Sequence, residues 1–220
     1  MVKACVFDVD NTLYDTRTLA VNARRNALKA MIEAGLDVEL DEAFTRLMGL
    51  VKEHGSNYDH HFDRLLEGYG RDGDHHLVAA GVVAYHETKK AFLVPYPDTV
   101  PTLLELKANG ILLGVASNGK PVKQWEKLIR LGLQHFFDAV VVASGPYGKP
   151  DPKPLLDVAA RLGVEPGDCL MVGDRVDADV KAAEAAGFKS VLLTPEPGGD
   201  YKPKPDYTVK RLSRILDLVG

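Results

Sequence analysis

The strongest constraint on the fold is an apolar run near the N-terminus that ends in two aspartates. Val2 to Phe7 is rich in β-favouring apolar residues, and Asp8 and Asp10 follow at a spacing of two. A short apolar run of this kind is typical of a strand buried on both faces, as in a parallel sheet. Carboxylates at the C-terminal end of such a strand are expected at the rim where open α/β sheets bind ligands.

Two carboxylates this close repel each other, so the pattern predicts a compensating positive charge. Mg²⁺ prefers hard oxygen ligands of this type. With such a cation bound, one carboxylate can attack phosphorus as a nucleophile while the other gives and takes protons. The same residues also fit a strand that ends in a polar turn, with Asp8 or Asp10 capping a helix, and only the rest of the chain distinguishes the two interpretations.

Length and charge limit the classes of function open to the chain. Its 220 residues, 45% of them hydrophobic and 26% charged, are ordinary for a globular domain with an insertion. A formal charge of −4 provides no basic surface, so we expect no nucleic-acid partner. We find no signal peptide and no stretch able to span a bilayer, which predicts a cytoplasmic protein without a membrane partner. Cys5 and Cys169 lie in apolar runs and are expected to be buried thiols.

Four helical patterns follow the first motif without an intervening strand. Their apolar residues recur at helical spacing, as Phe44, Leu47 and Val51 do in the second pattern. Four consecutive helices indicate a small antiparallel bundle, which we interpret as a helical cap domain inserted over residues 16–93. The predicted helices span about 16–34, 41–54, 58–69 and 75–92.

Beyond residue 94 the chain alternates between strands and helices. This alternation predicts an α/β core domain, residues 1–15 and 94–220, built on a doubly wound parallel sheet with helices on both faces. The predicted strands are 2–7, 111–116, 139–143, 169–172, 190–193 and a short extended piece at 207–209. The predicted helices are 98–109, 121–131, 152–162, 178–186 and a terminal helix to Val219.

Polar side chains follow four of the predicted strands. Because the C-terminal ends of strands in a doubly wound sheet meet at one crevice, these side chains are expected to converge. They offer carboxylates for a hard cation, a hydroxyl and an amide for anionic oxygens, and a positive charge for a phosphate. In strand order they are Asp8 and Asp10; Ser117 and Asn118; Lys149; and Asp174, Asp177 and Asp179.

The four segments resemble, in order and spacing, the four motifs of the haloacid dehalogenase-like (HAD) phosphohydrolase superfamily. The first, Asp-Val-Asp-Asn-Thr-Leu over 8–13, is specific, and the fourth, Gly-Asp-Arg-Val-Asp-Ala-Asp over 173–179, is moderately so. Ser117 and Lys149 alone are weak signals. The helical insert resembles the type-one cap of that superfamily.

The resemblance implies a Mg²⁺-dependent phosphomonoesterase that acts through an aspartyl-phosphate on a small phosphorylated substrate. It implies that Asp8 is the nucleophile, that Asp10 gives and takes protons, and that Lys149 neutralises charge on the phosphate and the nucleophile. The implied metal ligands are Asp8, the backbone carbonyl of Asp10, Asp174 and Asp179, and the implied phosphate-binding residues are Asn11, Thr12, Ser117, Asn118 and Lys149.

Several of these assignments have a rival in the sequence. Lys153 also precedes a proline and competes with Lys149, and Asp177 competes with Asp179 for the metal. Ser117-Asn118-Gly119 by itself fits a turn with a helix cap. A cap that closes over the cleft excludes water and supplies substrate contacts. The candidates for such contacts are Tyr14, Arg25, Asn57 and Tyr58.

Shorter segments narrow the implied activity. Residues 10–15, 23–27, 55–58, 80–86 and 121–127 resemble an archaeal subgroup of these phosphatases that acts on glyceraldehyde 3-phosphate. The run Asp-Asn-Thr-Leu-Tyr also occurs in pyrimidine 5′-nucleotidases, the alternative activity. Asp10 argues against a metal-independent 2-haloacid dehalogenase, which lacks this second acid, and the helical insert argues against a non-enzymatic phosphoacceptor module. We expect a monomer or a homodimer.

Overall fold

The computed structural model of the protein describes residues 1–56 and 58–219. Within them, parallel strands form one sheet in the order β3-β2-β1-β4-β5-β6, which confirms the predicted α/β class. β1 lies between β2 and β4, so the strand that carries the first motif is central. The strands are β1 (Ala4–Phe7), β2 (Leu112–Asn118), β3 (Ala139–Ala143), β4 (Cys169–Gly173), β5 (Lys189–Leu193) and β6 (Tyr207–Val209).

The α-helices fall in two groups along the chain. α1 to α4 follow one another without a strand between them, and α5 to α8 alternate with strands. The first group comprises α1 (Thr16–Glu33), α2 (Leu40–His54), α3 (His61–Glu67) and α4 (His75–Phe92). The second group comprises α5 (Thr99–Ala108), α6 (Pro121–Arg130), α7 (Lys153–Leu162) and α8 (Lys181–Ala186).

Both faces of the sheet are buried, which explains why its strands are continuous apolar runs. Val6, Ala116 and Met171 belong to one apolar cluster with residues of α7 and α8. Because successive side chains of a strand point to opposite faces, Phe7 and Val172 point to the other face, where they are also fully buried. Alternation of polar and apolar residues is therefore absent from β1 and β4.

The chain divides into two compact units. One comprises Met1–Asp15 and Val94–Gly220, and the other comprises Thr16–Leu93. The helical unit has an apolar cluster of its own, so its helices pack against one another around a common core. The buried members of this cluster are Leu28, Met31, Leu36, Ala43, Leu47, Leu65, Leu66 and Leu77.

Three predicted helices differ from the observed ones in length or type. The third helix begins only at His61, because Tyr58 lies outside it with its ring against those of His54, His60 and His61. The segment Val176–Val180 is a π-helical turn before α8. The terminal helix, Leu212–Leu218, is a 3₁₀-helix, and the backbone N–H of Ser213 donates to the Asp98 carboxylate at 3.0 Å.

Cys5 and Cys169 are buried free thiols, as the sequence predicts. Burial raises the pKa of the Cys5 thiol to about 12 and that of Cys169 to about 11. Both therefore stay protonated at neutral pH and act as small apolar side chains. Among the described residues, no helix has the length and apolarity needed to cross a membrane.

Gly114 in β2 permits α7 to pack closely on the sheet. A Cβ at this position would lie 2.5 Å from Cγ1 of Val158 and 3.4 Å from Cγ2 of Val6. We predict that Gly114→Ala lowers the free energy of unfolding by about 1–3 kcal/mol, because the short branched side chain of Val158 is enclosed by the core. Denaturant unfolding of the purified variant measures this loss.

Gly49 in α2 provides the matched control. It is exposed and an added Cβ would meet nothing within 4 Å. Gly49→Ala is expected to stabilise the helix by about 0.5–1 kcal/mol, because alanine loses less backbone entropy than glycine. Equal effects of the two substitutions would contradict the close packing of α7 on β2.

Candidate active site

The C-terminal ends of β1, β2 and β4 deliver polar side chains to one cavity of about 190 Å³. Asp8 follows β1, Ser117 and Asn118 end β2, and Asp174 follows β4. The three strands are neighbours in the sheet, so their ends open on the same edge. The residues that line the cavity are Asp8, Asp10, Asn11, Ser117, Asn118, Lys149, Asp174, Arg175, Ala178 and Asp179.

The ammonium group of Lys149 lies between two buried carboxylates. Its Nζ is 2.8 Å from Oδ1 of Asp8 and 2.6 Å from Oδ1 of Asp179. The three residues are 5%, 8% and 2% exposed for Lys149, Asp8 and Asp179. Burial alone lowers the pKa of Lys149, but the charges of Asp8 and Asp179 outweigh it and hold that pKa above its ordinary value. Lys149 is therefore a permanent positive charge beside Asp8.

Asn118 fixes the backbone that carries Lys149. Its Nδ2 donates to the Lys149 carbonyl at 2.7 Å, and the Lys149 N–H donates to its Oδ1 at 2.8 Å. A Cβ on Gly148 would lie 2.9 Å from the same Oδ1, so the amide packs directly on the Gly148 backbone. The side chain predicted to bind phosphate thus ties the loop after β3 to the end of β2, while it also lines the cavity.

Asp179 reaches the cavity because the turn after β4 is π-helical. The N–H groups of Asp179 and Val180 both donate to the Arg175 carbonyl, at 2.8 and 3.2 Å. Asp179 Oδ2 in turn accepts from the Arg175 N–H at 3.0 Å. The side chain lies so close to Gly173 that a Cβ there would be 2.2 Å from Oδ2, so only glycine fits at that position.

Three acidic side chains form a cluster suited to a hard cation. One carboxylate oxygen each from Asp8, Asp174 and Asp179 lies within 4.8 Å of the others. Carboxylate oxygens gathered beside further polar groups are the donor set that Mg²⁺ prefers. The residues present therefore fit a divalent cation, and Lys149 compensates only two of the three carboxylates by direct contact.

Side chains of Lys127, Gln124 and Tyr14 contact the Asp10 carboxylate. Lys127 Nζ lies 2.7 Å from both of its oxygens, and Gln124 Nε2 donates to Oδ2 at 3.2 Å. The Tyr14 hydroxyl donates to Oδ1. Burial on its own raises the pKa of the Asp10 carboxyl, but Lys127, Tyr14 and Gln124 together hold it below its usual range. Asp10 is thereby favoured in its charged, proton-accepting form.

The remaining phosphate-binding candidates lie in different surroundings. Ser117 is almost fully buried and lines the cavity. Asn11 also lines it and has a φ of 56°, a left-handed conformation that asparagine tolerates better than most residues. Thr12 is fully buried and its Oγ1 has no hydrogen-bond partner among the described residues. Thr12 is not among the residues that line the cavity, and its role in binding phosphate stays a prediction.

The two rivals lie outside the cluster. Lys153 is at the start of α7, where its Nζ pairs with exposed Asp157 at 3.0 Å. Asp177 is exposed and pairs with the Arg175 guanidinium at 2.6 Å. Geometry therefore favours Lys149 over Lys153 and Asp179 over Asp177.

The four residues predicted to contact substrate from the cap do not all lie in the same unit of the chain. Tyr14 lies in the unit that contains the sheet, as its position before the predicted insert implies; it is 2% exposed and its hydroxyl donates to Asp10. Within the helical unit, Arg25 pairs with Asp41 at 2.9 Å and Tyr58 stacks on His54 with ring centroids 4.6 Å apart. Asn57 lies outside the described residues.

Gln124 and Lys127 contact Asp10 in the structure, although the sequence patterns did not predict them as site residues. Both lie on α6, one helical turn apart, and reach Asp10 from more than a hundred residues along the chain. The sign of a special role is that Gln124, only 3% exposed, lies where an amphipathic helix normally places an apolar residue. That signal is visible only once the buried face of α6 is known.

The profile of the haloacid dehalogenase-like hydrolases matches residues 2–187 of the chain. The chain belongs to this family.

Two archaeal relatives match this hydrolase over its whole given sequence. It is 48% identical to the glyceraldehyde 3-phosphate phosphatase of Methanopyrus kandleri, over 100% of this chain and 97% of that protein. It is 40% identical to the glyceraldehyde 3-phosphate phosphatase of Methanocaldococcus jannaschii, with the same coverage of both chains. The crystal structure of a HAD phosphatase from Thermococcus onnurineus superposes with a TM-score of 0.69 at 28% identity, covering 100% of this chain and 98% of that one. The family resemblance drawn from the motifs is therefore confirmed.

Replacing Lys149 tests the charge balance of the site. We predict that Lys149→Met lowers the free energy of unfolding by about 3–5 kcal/mol, because Asp8 and Asp179 are left buried without their positive partner. Lys153→Met removes a lysine whose side chain is 61% exposed, and it is expected to change stability by less than about 1 kcal/mol. Thermal and denaturant unfolding compare the two variants, and similar small losses in both would refute the central role of Lys149.

Proposed function

We propose that this hydrolase is a phosphomonoesterase in which Asp8 takes the phosphoryl group of a small phosphorylated metabolite. The observation that carries the proposal is the contact of Asp8 with the buried Lys149 ammonium, at the edge of the sheet where Asp10, Ser117 and Asp174 meet in one cavity. A carboxylate in direct contact with a fixed cation is suited to attack phosphorus, because the cation lowers the repulsion between two anions.

The proposed substrate is glyceraldehyde 3-phosphate. Support comes from the relatives that bear this name, which match the chain at 48% and 40% identity over its full length. The cavity of about 190 Å³ is of a size for a phosphoryl group and its immediate surroundings. The helical unit, residues 16–93, is proposed as the cap domain, and the unit with the sheet as the catalytic core. A cytoplasmic location and a monomeric or dimeric state stay predictions.

Each polar group in the cavity has a proposed task. An oxygen of Asp8 forms the bond to phosphorus as the bond to the leaving oxygen breaks, and Asp10, which must be protonated for this step, supplies the proton that the leaving oxygen takes up. In the second step the Asp10 carboxylate accepts a proton from the water that attacks phosphorus, as the bond between phosphorus and the Asp8 oxygen breaks and releases phosphate and the Asp8 carboxylate. Lys149, Ser117 and the Asn118 backbone bind the phosphoryl oxygens, and Lys149 compensates the charge of Asp8 throughout.

Asp8, Asp174 and Asp179, together with the backbone carbonyl of Asp10, would hold the proposed Mg²⁺. When bound, the ion supplies a Lewis-acidic charge that polarises the phosphoryl group and compensates the acidic cluster. The position of Asp10 in the same cavity supports phosphate chemistry over dehalogenation, because a carboxylate that moves protons is needed to expel an alkoxide.

Replacing Asp8 tests the nucleophile. We predict that Asp8→Asn lowers the rate of phosphate release from glyceraldehyde 3-phosphate by at least about 10³-fold, because an amide oxygen cannot form the intermediate. Phosphate release by the purified variant measures this, with its melting curve showing that it is folded. Asp157→Asn, a surface change near Lys153, serves as the control and is expected to keep activity within twofold. Full activity of Asp8→Asn would refute the proposed nucleophile.

Metal binding is testable without turnover. Mg²⁺ at about 100 times its dissociation constant is expected to stabilise the wild type by about 2.7 kcal/mol, because it binds only the folded cluster. Asp174→Asn removes one of the three carboxylates and is expected to abolish most of this stabilisation, whereas Asp177→Asn keeps it. Thermal unfolding with Mg²⁺ and with EDTA measures the difference. A melting temperature indifferent to Mg²⁺ in the wild type would contradict the proposed site.

A further inference from the structure

Helix α6 contributes a second lysine to the site, separate from Lys149. Lys127 Nζ lies 2.7 Å from both oxygens of the Asp10 carboxylate. We propose that Lys127 is the positioning residue for Asp10, and that with Gln124 and Tyr14 it fixes the side chain that exchanges protons in the reaction. The inference rests on the proposed phosphatase function and adds to it a residue that the four motifs do not include.

The distribution of charge explains why Asp10 needs its own cation. Asp10 lines the same cavity as Asp8, Asp174 and Asp179, and like charges push it outward. Lys149 is engaged by Asp8 and Asp179 at 2.8 and 2.6 Å. Lys127 supplies a counter-charge to Asp10 by direct contact, and contact with both oxygens fixes the plane of the carboxylate as well as its place.

Burial distinguishes this ion pair from those on the surface. The Lys127 and Asp10 side chains are 27% and 30% exposed, whereas the Lys123 side chain on the same helix is 70% exposed. A partly buried pair is screened less by water and holds its geometry better than a surface pair. Lys123 pairs with Glu126 at 3.0 Å, which makes it a matched control with a different partner.

Gln124 connects Asp10 to the end of β2. Its Nε2 donates to Oδ2 of Asp10 at 3.2 Å and to the Asn118 carbonyl at 2.8 Å. The Tyr14 hydroxyl holds the other carboxylate oxygen from the segment after β1. Asp10 is thus placed relative to the Ser117–Asn118 segment by donors from two parts of the chain, with Lys127 as the charged one.

Displacement of Asp10 would slow the first step by an amount that depends on the leaving group. It would slow the second step equally for every substrate. In the first step a proton passes from Asp10 to the leaving oxygen, which an alkoxide requires and a p-nitrophenolate does not. In the second step the attacking water gives its proton to Asp10 whatever the substrate was. The value of kcat/KM reports the first step, and kcat includes the second.

We expect Lys127→Met to lower kcat/KM about 10- to 100-fold for glyceraldehyde 3-phosphate and at most about threefold for p-nitrophenyl phosphate, since positioning is part of what general acid catalysis contributes. With p-nitrophenyl phosphate the variant should release close to one nitrophenol per active site in a burst and then turn over slowly, because the aspartyl-phosphate accumulates. Stopped-flow absorbance and phosphate release, in the presence of Mg²⁺, measure both.

Two companion variants separate positioning from general damage. Lys127→Arg keeps a cation with hydrogen-bond donors and is expected to recover kcat/KM for glyceraldehyde 3-phosphate to within about fivefold of the wild type. Lys123→Met is expected to match the wild type with both substrates. Melting curves of the three variants establish that each is folded.

Four results would overturn the inference. Equal losses of kcat/KM for both substrates would assign Lys127 a structural role, and faster turnover by Lys127→Met would mean that Lys127 restrains Asp10. If the wild type hydrolyses both substrates and Lys127→Met has the same kinetic constants, the inference is rejected and the phosphatase function stands. A wild type that hydrolyses neither substrate would instead reject the proposed function and this inference with it.

Discussion

The site depends on one buried positive charge placed between two buried carboxylates. Lys149 contacts Asp8 and Asp179, which arrive from opposite ends of the core chain, and all three are nearly inaccessible to water. Burying a carboxylate without a partner is costly, so the three residues are stable together and not separately. The features around them, from the Asn118 amide on the Lys149 backbone to the glycine beneath Asp179, place these charges within hydrogen-bond distance.

A second charge pair lies beside the first and is kept distinct from it. Lys127 contacts Asp10, whereas Lys149 contacts Asp8 and Asp179, so the two aspartates of the first motif pair with different lysines. The two lysines come from different elements, the α6 helix and the loop after β3. Separate cations allow two carboxylates of the same motif to differ in role, because each is fixed by its own neighbours.

Much of this architecture follows from local patterns in the sequence. Apolar runs ending in polar residues predicted the strands and the edge of the sheet at which Asp8, Ser117 and Asp174 meet. Such runs and their ends are visible in the local sequence, without knowledge of any tertiary contact. The partners of Asp10 were not predictable in the same way, since Lys127 reaches it across 117 positions. The π-helical turn before α8 was also missed, because it depends on Asp179 folding back over Gly173, a tertiary contact.

The central place of β1 has a consequence for how the molecule is made. β1 is synthesised before both of its neighbours in the sheet, which begin only at Leu112 and Cys169. The apolar faces and backbone hydrogen-bonding groups of β1 are covered only after β2 and β4 have been synthesised. The cavity is therefore complete only once β4 has docked beside β1, because Asp174 and Asp179 follow that strand.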